Sequence, residues 1–376
     1  MKKFFLSLAV FVMALCANAQ TNQYFWYNGN LMMGNPIAQI DSVTFGEGEP
    51  TDTLHIILPR TIIKTVRETI EVIVHDTLYL NNYVCLPEGA LPGEFSVSPT
   101  KKVRFSKGNL QYNAALGTHQ CADGTTQQGT WRFAEKQCDY VGDATEGTVY
   151  ENDVKCDNAF ISSTYNGWID LFGWGTSGWN SGAKAYQPWA TSTNDKDYYP
   201  GNTSTNNLQG SCANADWGVY NAIQNGGDEA GMWRTLTGEE WNYLLSARTN
   251  ANQLCGQATI NGLHVLILLP DNWTMPNSLT FIAPPSNWTD NQYTSEEWKV
   301  LEQSGAVCIP SAKRRIYGNT IDGGGNIGIW TSSYSTRDPI KSAWQIVVFG
   351  TSIESNENSI GGRHNGHSVR LVQDVE

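Results

Sequence analysis

From Gly323 to Val372 the chain reads GGGNIGIWTSSYSTRDPIKSAWQIVVFG and, past a polar loop, GGRHNGHSVRLV. Three short apolar or alternating runs lie here, Ile327 to Ser332, Ala343 to Phe349 and Ser368 to Val372, each bounded by Gly, Asn, Asp or Pro. That punctuation predicts three strands. Trp330 and Trp344 each put a large ring on a strand, and such rings need a second layer to bury against. The rest of the chain must supply it.

The runs GIWTSS, AWQIVVFG and NGHSVRLV resemble the end of the Fibrobacter succinogenes major paralogous domain. That family is a relative of the formylglycine-generating enzymes and the C-type-lectin-like folds. The match falls on Trp330, Ser332, Ser333, Trp344, Ser368, Val369 and Arg370. The family pattern has Phe where this chain has His367, and often a Cys where it has Leu371, which removes the usual terminal disulfide. The stretch GMWRTLTGEEW from Gly231 resembles the family's helix start, while 260–273 and 306–317 resemble its buried strands. The resemblance implies an α+β, C-type-lectin-like domain with short twisted sheets, two or three short helices and long loops.

Upstream, Lys2 and Lys3 precede an apolar run from Phe4 to Cys16, and Ala17-Asn18-Ala19 offers the small residues a signal peptidase reads. Residues 1–19 are therefore expected to be a signal peptide and the mature chain to be exported, to the periplasm, the outer surface or the medium. No later apolar run approaches the roughly 20 residues needed to span a bilayer. Residues 20–48 read as a short β element with a hairpin turn at Asn28-Gly29. Residues 49–92 read as an extended linker or stalk, and Ile63, Val66, Ile70 and Ile73 within 54–80 suggest self-association at heptad spacing. The compact domain is expected over 93–376.

With 24 Lys and Arg against 36 Asp and Glu the net charge is −12, which repels nucleic acid. None of the 8 cysteines forms a C-x-x-C pair, so zinc-finger and thioredoxin readings fail. An exporting compartment permits disulfides, but the spacing does not say which.

Two helices are marked by their own first turns. Thr237 with Glu240 and Thr294 with Glu297 are Thr-x-x-Glu capping boxes, each running into a Trp, Trp241 and Trp298. Gly305 is the expected terminator of the second.

For chemistry, the enzymes that convert Cys to formylglycine rely on a C-terminal cysteine pair, and this chain has no Cys between Ser311 and Glu376. The acid pairs Glu239-Glu240 and Glu296-Glu297 would suit a glycan-active enzyme, yet both sit where helix caps already account for them. No cofactor is expected. Calcium is the ion that the oxygen-rich loops around Asp195, Asp197, Asp322 and Asn326 would suit, although turn chemistry explains them equally.

The binding expectation rests on the aromatic run from Gly167 to Ala190, with Trp168, Trp174, Trp179 and Trp189, and on the donor-rich loop Arg363, His364 and His367. Rings stack on sugar faces or anchor proteins, and donors fix orientation, while buried Trp that pins a large loop to its domain is the weightier alternative for the aromatic run. The expected function is a non-catalytic binding or adhesion protein for an extracellular glycan or protein. The alternatives are a glycan-active enzyme and a purely structural surface protein.

Overall fold

In the segment Lys102–Phe105 the side chains alternate, and Val103 and Phe105 are wholly buried while Lys102 is exposed. This strand carries one face of a four-stranded sheet whose order is Arg234–Thr235, Leu371–Asp374, Lys102–Phe105, Phe95–Ser96. All its pairs are antiparallel. The architecture is α+β, mostly strands with a few short helices and no closed barrel.

The computed structural model describes residues 86–143, 150–151, 154–318, 320–322 and 326–375, and, before them, the backbone of five short strands. Those five are Asn22–Tyr27, Asn30–Pro36, Ser42–Phe45, Thr53–Ile57 and Val72–Ile73. The first two pair antiparallel with Tyr27 opposite Asn30, and the expected turn residues Asn28 and Gly29 lie outside the described residues. The middle strand of the other three is Thr53–Ile57. The expected signal peptide and the heptad positions Ile63, Val66 and Ile70 lie outside the described residues. Contacts divide the chain into two compact units, Met1–Glu88 and Gly89–Glu376. The second begins slightly before the Gly93 expected from sequence, because the Leu91 N–H donates to the Phe105 carbonyl at 2.8 Å and Leu91 is buried.

A second sheet runs Gln292–Tyr293, Cys255–Ile260, Leu263–Leu268, Val307–Pro310. Its central hairpin turns on Asn261 and Gly262, at φ +47° and +84°, the two left-handed residues a tight two-residue hairpin needs. A third sheet pairs Ile327–Tyr334 with Ser342–Phe349, which also pairs Ser352–Glu354 and Ile360–Gly362. Residues from all three sheets meet in one core, among them Phe105, Leu266, Ile309, Ile329 and Ile346.

Of the three C-terminal strands expected from sequence, the first two pair as neighbours and the third divides. Ser368 bridges Ile329 in parallel, and the chain then leaves to place Leu371–Asp374 beside Lys102–Phe105 in the first sheet. The terminal strand thereby stitches two sheets together. Both capping boxes form, with Thr237 accepting from the Glu240 N–H and Thr294 from the Glu297 N–H. Gly305, at φ +97°, ends the Ser295–Gln303 helix. No helix among the described residues is long and apolar enough to cross a membrane.

A second core, rich in aromatic rings, lies beside the Leu110–Gln120 and Thr126–Phe133 hairpin and holds Trp131, Phe172, Trp174, Trp217, Trp233 and Trp330 among aliphatic side chains. It carries the loops described next.

Candidate functional site

The aromatic run and the Arg363–His367 loop do meet. Phe172 and His367 exchange backbone hydrogen bonds at 3.0 and 3.1 Å, and the Trp174 N–H donates to the Arg363 carbonyl at 3.0 Å. Two indoles fasten the pair to the third sheet. Trp330 Nε1 donates to the Phe172 carbonyl at 2.7 Å, and Trp174 Nε1 to that of Thr331 at 2.8 Å.

Their juncture is interior. Trp168, Trp174, Arg363 and His367 are all buried. Composition left core anchoring and ligand contact both open; these loops turn the four groups inward, because long irregular segments must satisfy their backbone and bury their rings to be held in place. The Arg132 guanidinium covers Trp168, 3.7 Å from the ring centroid. Arg363 stacks over Trp174 at 4.6 Å and Tyr199 at 4.9 Å, and donates to the carbonyls of Ser342, Pro339 and Ser204. Burial pulls its pKa down to about 10, which still leaves a cation at neutral pH. It is a bolt between three loops. His367 meets Trp330 edge to face at 4.6 Å and has no partner on either ring nitrogen. Burial, then Arg314, Arg315 and His364, push its pKa down to about 3 and keep it neutral.

What this interior presents outward is the remainder of the same loops. Trp179 and Trp189 are half-buried, with one side packed on the aromatic core. Trp189 stacks on Tyr112 with ring centroids 6.1 Å apart and planes at 26°. His364 is partly exposed and its Nδ1 lies 2.7 Å from Asp195 Oδ1, which also accepts the His364 N–H at 3.2 Å. A carboxylate on one ring nitrogen fixes an imidazole's orientation. Tyr317, 74% exposed, was not singled out from sequence. Its turn lies against the same loop, since a Cβ on neighbouring Gly318 would stand 3.4 Å from the Thr191 carbonyl. The signal was available in a large aromatic ring placed directly before Gly318-Asn319.

Among the described residues, no group of three or more His, Cys, Asp or Glu is arranged to hold a metal ion. Asp197 accepts from Ser192 Oγ at 2.6 Å and pairs with Lys184 at 3.6 Å, and Asn194 caps the short 3-10 turn Asp195–Tyr198. The Asn326 carbonyl accepts from Ser311, while Asp322 ends the short strand Thr320–Asp322 and its side chain lies outside the described residues.

In each acid pair the second member serves the helix start, while Glu239 and Glu296 are exposed. Glu240 accepts from the Thr237 N–H and takes both prongs of Arg234, at 2.7 and 2.9 Å. Glu239 takes a long hydrogen bond from Ser333, Glu297 closes its own capping box, and Glu296 faces Lys299 at 4.0 Å.

No family model, curated protein or solved structure matches the chain.

Proposed function

We propose that the chain is an exported, non-catalytic binding or adhesion protein whose Gly89–Glu376 unit is a C-type-lectin-like domain. The observation that carries the reading is what these segments leave uncovered: Trp179 and Trp189 half-buried on the aromatic core, Tyr317 exposed, and the oriented, partly exposed His364–Asp195 pair. Binding sites pair stacking surface with a few placed polar groups, and a rigid scaffold under irregular loops is where they occur. The buried Trp174–Arg363 contact supplies that rigidity. Support for the family comes from where its signature falls: Trp330, Ser332, Ser333, Trp344, Ser368, Val369 and Arg370 are all buried, as residues specifying a fold would be.

The ligand class that fits best is glycan. Sugar rings offer apolar faces for Trp and Tyr and hydroxyls for an imidazole nitrogen. Against the enzymatic alternative stands the use of one acid of each pair, Glu240 and Glu297, in a helix cap. The test is a glycan array probed with the purified full chain. Reproducible binding to a related set of glycans is expected, and absence of binding across the array contradicts the glycan assignment.

A further inference from the structure

Of the six cysteines among the described residues, two stand face to face. Cys138, in the turn after the Thr126–Phe133 strand, and Cys308, in the Val307–Pro310 strand, have their sulfurs 2.9 Å apart although 170 residues separate them in sequence. The other four have different surroundings. Cys156 Sγ accepts the Trp168 N–H, Cys212 Sγ accepts from Asn206, Cys255 Sγ donates to the Ala251 carbonyl, and Cys121 lies near Thr125 and Tyr220.

The approach is held by bonds that do not involve sulfur. Gln137 Oε1 accepts the Cys308 N–H at 2.8 Å, and its Nε2 donates to the Ala306 carbonyl at 3.1 Å and to Glu302 at 2.9 Å. Arg370 Nη2 donates to the same Gln137 oxygen at 3.0 Å. The turn is thus held in register against the strand at Ala306 and Cys308. Closing the remaining gap to a bond of about 2.05 Å requires a shift of under about 1 Å.

We propose that Cys138 and Cys308 are the disulfide-forming pair of this protein, clasping the turn after the first hairpin to the second sheet. This inference is independent of what the loop face binds. A low-molecular-weight or protein disulfide is the oxidant. The half-buried Cys138 loses its proton and attacks one sulfur of that disulfide, whose other sulfur leaves as a thiolate and is then protonated. Cys308 loses its proton and attacks Cys138 Sγ, expelling the second thiolate. Two electrons and two protons pass to the oxidant, which ends as two thiols. Burial and the neighbouring Cys138 push the Cys308 thiol up, and the Arg370 guanidinium offsets them only in part. External reductants meet Cys138 first, since Cys308 is wholly covered.

The experiment takes the full chain, reduced and then incubated natively with oxidised glutathione. It is quenched in acid, alkylated in denaturant without reductant, and peptide-mapped. The expected product is a cross-linked pair of peptides carrying Cys138 and Cys308, two hydrogens lighter than their sum, with Cys121, Cys156, Cys212 and Cys255 alkylated. Closing so long a loop should also raise Tm on the order of 10 °C, an increment absent from Cys138→Ser. Alkylation or single glutathionylation of both Cys138 and Cys308 would overturn the proposal. So would pairing of either with another cysteine, Cys85 included, or an equal Tm increment in Cys138→Ser.

Discussion

Arg363 lies with its guanidinium 4.6 Å from the centre of the Trp174 ring while its own carbonyl receives the Trp174 backbone N–H at 3.0 Å. Two loops far apart in sequence are thereby joined through both side chain and main chain, under the surface proposed to meet the ligand. Removing the ring leaves a cavity and strips the buried cation of its cover. Trp174→Ala is expected to cost about 3–5 kcal/mol, the usual range for a buried aromatic. Arg363→Lys should also lower Tm, because an ammonium cannot stack flat or donate along three directions in one plane. Thermal melting checks both, and an unchanged Tm in either variant would mean that the juncture is not a fastening.

The helix starts make a smaller and more local prediction. Thr237→Ala and Thr294→Ala should each destabilise by about 1 kcal/mol through loss of the N-cap oxygen. Glu240→Ala should cost more than Thr237→Ala, since it also frees the partly buried Arg234 from one of its two carboxylate partners, leaving Asp374. Denaturant melts of the three variants give the order directly.

His367 predicts a pH dependence with a definite sign. Its folded pKa, near 3, lies below the ordinary value of 6.5, so the unfolded chain binds the proton first and stability is lost as pH falls below about 6.5. Asp170 and Asp216, buried with pKa values raised to about 6, act oppositely, their stabilisation present below about 3.8 and lost as pH rises through 6. Comparing the wild type with a single variant cancels them. His367→Phe, which keeps a ring against Trp330 and removes two unpartnered nitrogens, should gain about 2 kcal/mol on the wild type between pH 7 and pH 5. Parallel loss in both proteins over that interval would show that His367 does not stay neutral.

Contacts end the second unit at Gly89, and limited proteolysis should respect that limit. Early cuts are expected before Gly89, leaving a fragment that runs to the C-terminal strand Leu371–Asp374, which pairs with Lys102–Phe105 and closes the unit. A first cut between Leu91 and Val372 would contradict the unit as drawn.

How much was legible in advance depended on the range of the interaction. The capping boxes at Thr237 and Thr294 are complete within four residues, so their reading needed no tertiary information. Strand character at Ile327, Ala343 and Ser368 was equally local, but partnership was not. Alternation marks a strand without naming the sheet it joins, which is why the departure of Leu371–Asp374 to a second sheet could not be foreseen. The same limit applies to the aromatic loop. Trp174 and Trp179 sit in similar Gly- and Ser-rich surroundings, and only the packing of distant strands makes one core and leaves the other half open. Cys138 and Cys308 carried no spacing signal at all.

The account stands or falls on separating the two kinds of loop residue. The decisive measurement is binding to a glycan array, with Tm recorded alongside, for the full-length wild type, Trp189→Ala, Tyr317→Ala, His364→Ala and Trp174→Ala. The account predicts that His364→Ala and Tyr317→Ala bind at least tenfold more weakly with Tm nearly unchanged. Trp189→Ala should bind as weakly with a modest loss of Tm, and Trp174→Ala should melt early. Full binding by all of the first three would contradict it.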